Sequence, residues 1–151
     1  MRFNQTGEVM SYIEEFHEGL ADSYAELAGR TAKGRSRMML EYMSEREKEL
    51  AESVRSFSHR AEDPALKEWD PFTINDSGIH ARIKEALHEK ADPDELLGLG
   101  LEVLAWLEGL YLRLEAKSGT PEQKELFASL RARAEREKHK LARNANMLMD
   151  F

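Results

Sequence analysis

His17, Glu47 and Glu137 are the residues whose types and placement could do chemistry, because each interrupts an otherwise apolar helical seam. The seams are Ile13-His17-Leu20-Tyr24-Leu27-Thr31, Leu40-Met43-Glu47-Leu50-Val54-Phe57 and Phe127-Leu130-Ala134-Glu137-Leu141. Their steps of three and four draw one face of a helix each. One imidazole and two carboxylates at one level could bind a single divalent ion, Fe, Mn or Zn. The same residues could instead form a buried hydrogen-bonded cluster, with protonated His17 satisfying Glu47. A third arrangement has Glu137 snorkelling out towards Arg133 or solvent.

Other chemistries are poorly served. The chain has no cysteine, which removes disulfides, thiolate metal sites, iron–sulfur ligation and a cysteine nucleophile. No Gly-rich phosphate loop or nucleophile triad is present. His59, His80, His88 and His139 have no ligand-like partner at a spacing of three or four and read as surface residues. A phosphotransfer bundle needs an exposed mid-helix His followed by Lys and a small residue, and His139-Lys140 is a poor match. The run Arg131, Arg133, Arg136, Lys138, Lys140, Arg143 could bind an anion but reads as a solvated face late in a helix. The acids Glu8, Glu14, Glu15, Glu18, Asp22 and Glu26 are its counterpart on the first helix.

A weak internal repeat orders these positions. Residues 20–57 align without a gap on 107–144, an offset of 87, matching Leu20, Tyr24, Leu27 and Arg46 to Leu107, Tyr111, Leu114 and Arg133. Each copy reads as a helix, a turn and a second helix. A first hairpin is expected over 7–62, with Thr6 as N-cap, Gly34 at its turn and Asp63-Pro64 at its end. A second is expected over 93–147, opened by Asp92-Pro93 with Glu95 and reopened by Thr120-Pro121-Glu122-Gln123. The intervening 63–92 is too long for a tight connection and reads as a crossover, with Trp69, Phe72 and Ile74 as anchors and a short helix over Ile79–Lys90.

The pattern therefore predicts one all-α domain over 1–151, a four-helix bundle of two hairpins. Charged residues form 34% of the chain and hydrophobic ones 41%, enough for a core, and the net charge of −7 argues against nucleic acid or an anionic membrane as partner. The longest apolar stretch, Leu96–Leu114, is broken by Glu102 and Glu108 and reads as a buried helix rather than a membrane span. With no signal-peptide pattern at Met1–Gln5, the expected location is the cytoplasm.

Two hairpins with a long crossover, each with Tyr followed three residues on by Leu, resemble the rubrerythrin-like branch of the ferritin-like superfamily. The Tyr24-Ala25-Glu26-Leu27-Ala28 and Ser44-Glu45-Arg46-Glu47-Lys48-Glu49-Leu50 stretches carry the likeness, which covers about 10–62 and 93–145. The resemblance implies a dinuclear metal centre, with a Glu about seven residues before each Tyr and a Glu-x-x-His on each second helix. Seven before Tyr24 stands His17, and seven before Tyr111 stands Leu104. Glu47 matches, but Leu50 stands in place of its His; on the last helix Ala134 and Glu137 take the two positions.

The expected function is accordingly that of a degenerate ferritin-like protein without the dinuclear centre, acting as a non-enzymatic binding or scaffold module without cofactor. The alternative is a redox or metal-storage protein using a reduced His17, Glu47, Glu137 site. A homodimer is expected through the third helix, where Leu96, Leu99, Val103, Trp106 and Leu110 form a second apolar line beside the core seam Leu97, Leu101, Leu104, Glu108, Tyr111 and Leu114.

Overall fold

Apolar residues recurring every three or four positions, with few Gly or Pro between them, commit most of the chain to long helices. The computed structural model describes residues 2–60 and 69–149. Helices α1 (Thr6–Arg30) and α2 (Arg35–Arg60) form the first hairpin. Gly34, at φ +153°, makes the turn in a conformation that side chains disfavour. The expected end of α2 at 61–62 and the Asp63-Pro64 stop lie outside the described residues.

Strand β2 (Trp69–Thr73) pairs antiparallel with β1 (Arg2–Gln5), Phe3 opposite Phe72. Sequence patterning did not foresee this ribbon, the one exception to an all-α architecture among the described residues. Helix α3 (Ser77–Ala86) follows, starting earlier and stopping sooner than expected. Phe72 and Ile74 are buried as anchors, while the side chain of Trp69 lies outside the described residues.

The second hairpin is α4 (Pro93–Lys117) and α5 (Pro121–Met149). Asp92 caps α4 by accepting the Glu95 N–H at 2.8 Å. At α5 the Thr120 hydroxyl accepts the Gln123 N–H at 3.2 Å, and Gln123 Oε1 accepts the Gly119 N–H at 3.0 Å. The other end of that amide donates to the Thr6 hydroxyl at 3.1 Å, so fully buried Gln123 also ties the start of α5 to the start of α1.

The inward face of α4 includes Leu104, Tyr111 and Leu114 of the expected seam and extends beyond it. Leu96, Leu99, Val103, Leu107 and Leu110 are fully buried, whereas Leu97 and Leu101 are only partly so. The seam is Leu96-Gly100-Val103-Leu107-Leu110-Leu114, with Gly100 completing the steps of four and three. A Cβ at Gly100 would lie 2.7 Å from Leu141 Cδ2 and 2.8 Å from Met43 Cε, so the missing side chain lets α2 and α5 close over α4.

Leu96, Leu99, Val103 and Leu110 are covered within the chain, and partly buried Trp106 packs on Phe16, ring centroids 5.2 Å apart. Helix α3 lies against α4 as well. These five α4 residues are the ones expected to line a homodimer surface, and Trp106 is the one among them left partly exposed.

Candidate functional site

The α1 seam carries His17 inward between Ile13 and Leu20, and the α2 seam carries Glu47 inward between Met43 and Leu50. One turn before Glu47, the Ser44 hydroxyl donates to the Ala21 carbonyl at 2.9 Å and holds the two helices in register. His17 Nδ1 and Glu47 Oε2 are then 2.5 Å apart, with the residues 2% and 6% exposed. In this arrangement the two groups satisfy one another.

Around them the surroundings are apolar and closed. His17 lines a cavity of about 10 Å³ together with Leu50, Leu104, Leu130 and Ala134. That volume admits about one water molecule. The phenols of Tyr24 and Tyr111, matched by the repeat, are both raised above their ordinary pKa, by burial first and by the Glu47 charge second. The Tyr24 hydroxyl is buried without a hydrogen-bond partner in the described residues.

Glu137 is elsewhere. Its carboxylate accepts from Arg46 NH2 at 2.5 Å and from Arg46 Nε at 3.2 Å, a bidentate pair with side chains 10% and 16% exposed. Arg46 also donates to Glu49 at 2.5 Å. The bond to Glu137 is the main cause that raises the Arg46 pKa. Of the expected metal set of His17, Glu47 and Glu137, the first two are therefore bonded to one another while the third is bonded to Arg46. Among the described residues no three His, Cys, Asp or Glu side chains are placed to share an ion. Nor do the residues fit the dinuclear centre that the resemblance implies, since Leu50, Leu104 and Ala134 offer no donor atoms where ligands belong.

The repeat explains what Arg133 does. It maps Arg46 onto Arg133 and Glu137 onto Leu50, so the counterpart of the Arg46–Glu137 bridge would join Arg133 to Leu50. A leucine cannot accept, and Arg133 Nε is buried without a hydrogen-bond partner in the described residues. Arg133 lines the small cavity beside His17 on one side. On the other it lines an open groove of about 560 Å³ between α2 and α5.

The basic run of α5 splits between two faces. Arg131 bonds Glu115 at 3.0 Å and Lys138 bonds Glu108 at 3.2 Å, both across the α4–α5 hairpin. Arg133, Arg136, Lys140 and Arg143 turn to the groove. The acids of α1 serve its own hairpin instead, Glu14 and Glu18 accepting from Arg55 at 2.5 and 2.7 Å. His80, His88 and His139 are exposed, although His80 does meet Asp76 four residues before it at 3.2 Å, and the side chain of His59 lies outside the described residues. Sequence reasoning gave Arg46 no role and weighed Arg133 only as a partner of Glu137 and within a basic run read as a solvated face; the further signal was their identity in the repeat. Comparison of the chain with protein-family models, curated proteins and solved structures finds no match.

Proposed function

We propose that this chain is a ferritin-like four-helix bundle that has lost the dinuclear centre and works as a non-enzymatic binding module. The observation that carries the reading is the filling of the ligand layer. Leu50, Leu104 and Ala134 enclose about 10 Å³ beside a His17–Glu47 pair that is already mutually bonded. A dinuclear site needs two ions about 3.5–4 Å apart, with carboxylates bridging them. Supplying it here would mean breaking the pair and placing dications among buried leucines, at a cost of many kcal/mol in desolvation.

The two hairpins, the long connection between them and the Tyr24/Tyr111 pair in the core support the ferritin-like assignment. Elemental analysis after expression in medium supplemented with iron and manganese tests the reading. The expected content is well below two ions per chain, with no iron(II) oxidation above the uncatalysed rate. Two tightly held ions per chain would overturn it.

A further inference from the structure

We propose that the groove between α2 and α5 binds a small oligophosphate, a compound with two or three linked phosphoryl groups, through Arg133, Arg136, Lys140 and Arg143. This deepens the reading of the chain as a binding module by naming the class of its ligand. The four cations stand at steps of three, four and three along α5, so they share one helical face. None of them belongs to an ion pair among the described residues, although the chain carries 29 acids against 22 Lys and Arg. Their neighbours Arg131 and Lys138 do find carboxylates.

The two acids in the groove offset this face only in part. Glu49 and Glu137 are both held by Arg46, a trio of net charge −1 that bridges α2 and α5. The groove keeps a net excess of three positive charges among the described residues, and such a cluster is stabilised by an anion that enters. Arg133 lines the groove as well, and its buried Nε has no hydrogen-bond partner among the described residues, so its guanidinium is not committed to another group there.

Guanidinium forks suit phosphoryl oxygens, which they meet with two parallel N–H donors, and a lysine adds a movable point charge. A volume of about 560 Å³ is that of a small-molecule site. The exposed Glu41, Glu45 and Glu52 on α2, together with the overall charge of −7, oppose the continued backbone of a nucleic acid.

Isothermal titration of the full chain with sodium triphosphate tests the proposal, with sodium sulfate at matched ionic strength as the reference and with ATP and a short oligothymidylate as comparisons. One saturable site is expected, with Kd in the range of about 10–100 μM at low salt. Arg136→Glu with Lys140→Glu should weaken it at least ~10-fold. Because these two side chains are outside the core, the melting curve of the variant should match the parent. As a second readout on the unaltered chain, the Arg133 Nε–H resonance should move on titration.

Equal binding of triphosphate and ATP would place recognition in the phosphates alone; tighter ATP would add the nucleoside, and both support an oligophosphate site. Absence of saturable heat up to about 10 mM triphosphate would overturn the proposal, as would binding unchanged in the variant. Tighter binding of oligothymidylate than of triphosphate by the same residues would also overturn it, in favour of nucleic acid. Metal analysis on the same preparation is read separately, so a failed groove and a failed account of the metal-free core are distinguishable.

Discussion

Three glycines of α4 make an internal comparison of where the helix packs tightly. A Cβ built at Gly98 or Gly109 meets nothing within 4 Å, whereas at Gly100 it meets Leu141 Cδ2 at 2.7 Å and Met43 Cε at 2.8 Å. Replacing helical Gly by Ala gains roughly 1 kcal/mol in propensity at any of the three. At Gly100 that gain is opposed. Carbon contacts are optimal near ~3.5–4.0 Å, so two side chains must retreat by about 1 Å each. The methionine end can swing, but Leu141 is 7% exposed and lies in the core. Overpacking of this kind costs about 1–3 kcal/mol.

Gly98→Ala and Gly109→Ala should therefore stabilise by about 0.5–1 kcal/mol each. Gly100→Ala should come out neutral to about 2 kcal/mol destabilising. Urea unfolding followed by far-UV circular dichroism resolves a gap of that size, which moves the midpoint by about 0.2 M at the least and by more than about 1 M at the most. If Gly100→Ala stabilises as much as Gly98→Ala, the close approach at Met43 and Leu141 is wrong, and with it the inward orientation of the Leu96–Leu114 seam.

Glu47→Leu alone should cost about 3 kcal/mol, because it leaves the His17 imidazole buried without its acceptor, whereas His17→Leu with Glu47→Leu should be near neutral; equal losses in equilibrium unfolding would contradict the pair. Leu50→Glu should be at least ~1 kcal/mol less harmful than Leu27→Glu, since the new carboxylate meets the orphaned Arg133 guanidinium, and equal damage would contradict the repeat argument. The raised phenols of Tyr24 and Tyr111 stabilise the fold fully below the unfolded phenol pKa of about 10, and that contribution falls as pH rises beyond it. Tyr24→Phe should accordingly lose less stability between pH of about 9 and 11 than the parent does, as measured by urea midpoints; an equal loss refutes the assignment.

The long helices and their starts were legible because periodicity and capping are local. Asp92 with Pro93 and Thr120 with Gln123 open helices where their types require it. On α4 the expected seam caught Leu104, Tyr111 and Leu114 but missed the line through Gly100. Glycine carries no hydrophobic weight, so a seam that runs through it looks like two separate apolar lines. Only the approach of Met43 and Leu141 reveals it as a core position.

At the site, the seams placed His17 and Glu47 correctly as inward residues, but a level on a helix does not set where a long carboxylate ends. Glu137 reaches Arg46 of α2 rather than the imidazole of α1. The offset of 87 contained the pairing of Arg46 with Glu137 and the vacancy opposite Arg133, yet neither could be read without knowing that α2 and α5 run side by side. The β1–β2 ribbon joins residues too far apart in sequence for any local pattern to announce it.

The central claim concerns what the core can hold, and anomalous scattering from crystals grown with excess manganese(II) measures that directly. The account predicts no anomalous peak within the bundle at the level of His17 and Glu47, whose Nδ1 and Oε2 should remain in hydrogen-bond contact. A peak about 2.2 Å from a Glu47 oxygen, or a pair of peaks between Leu50 and Leu104, would contradict it.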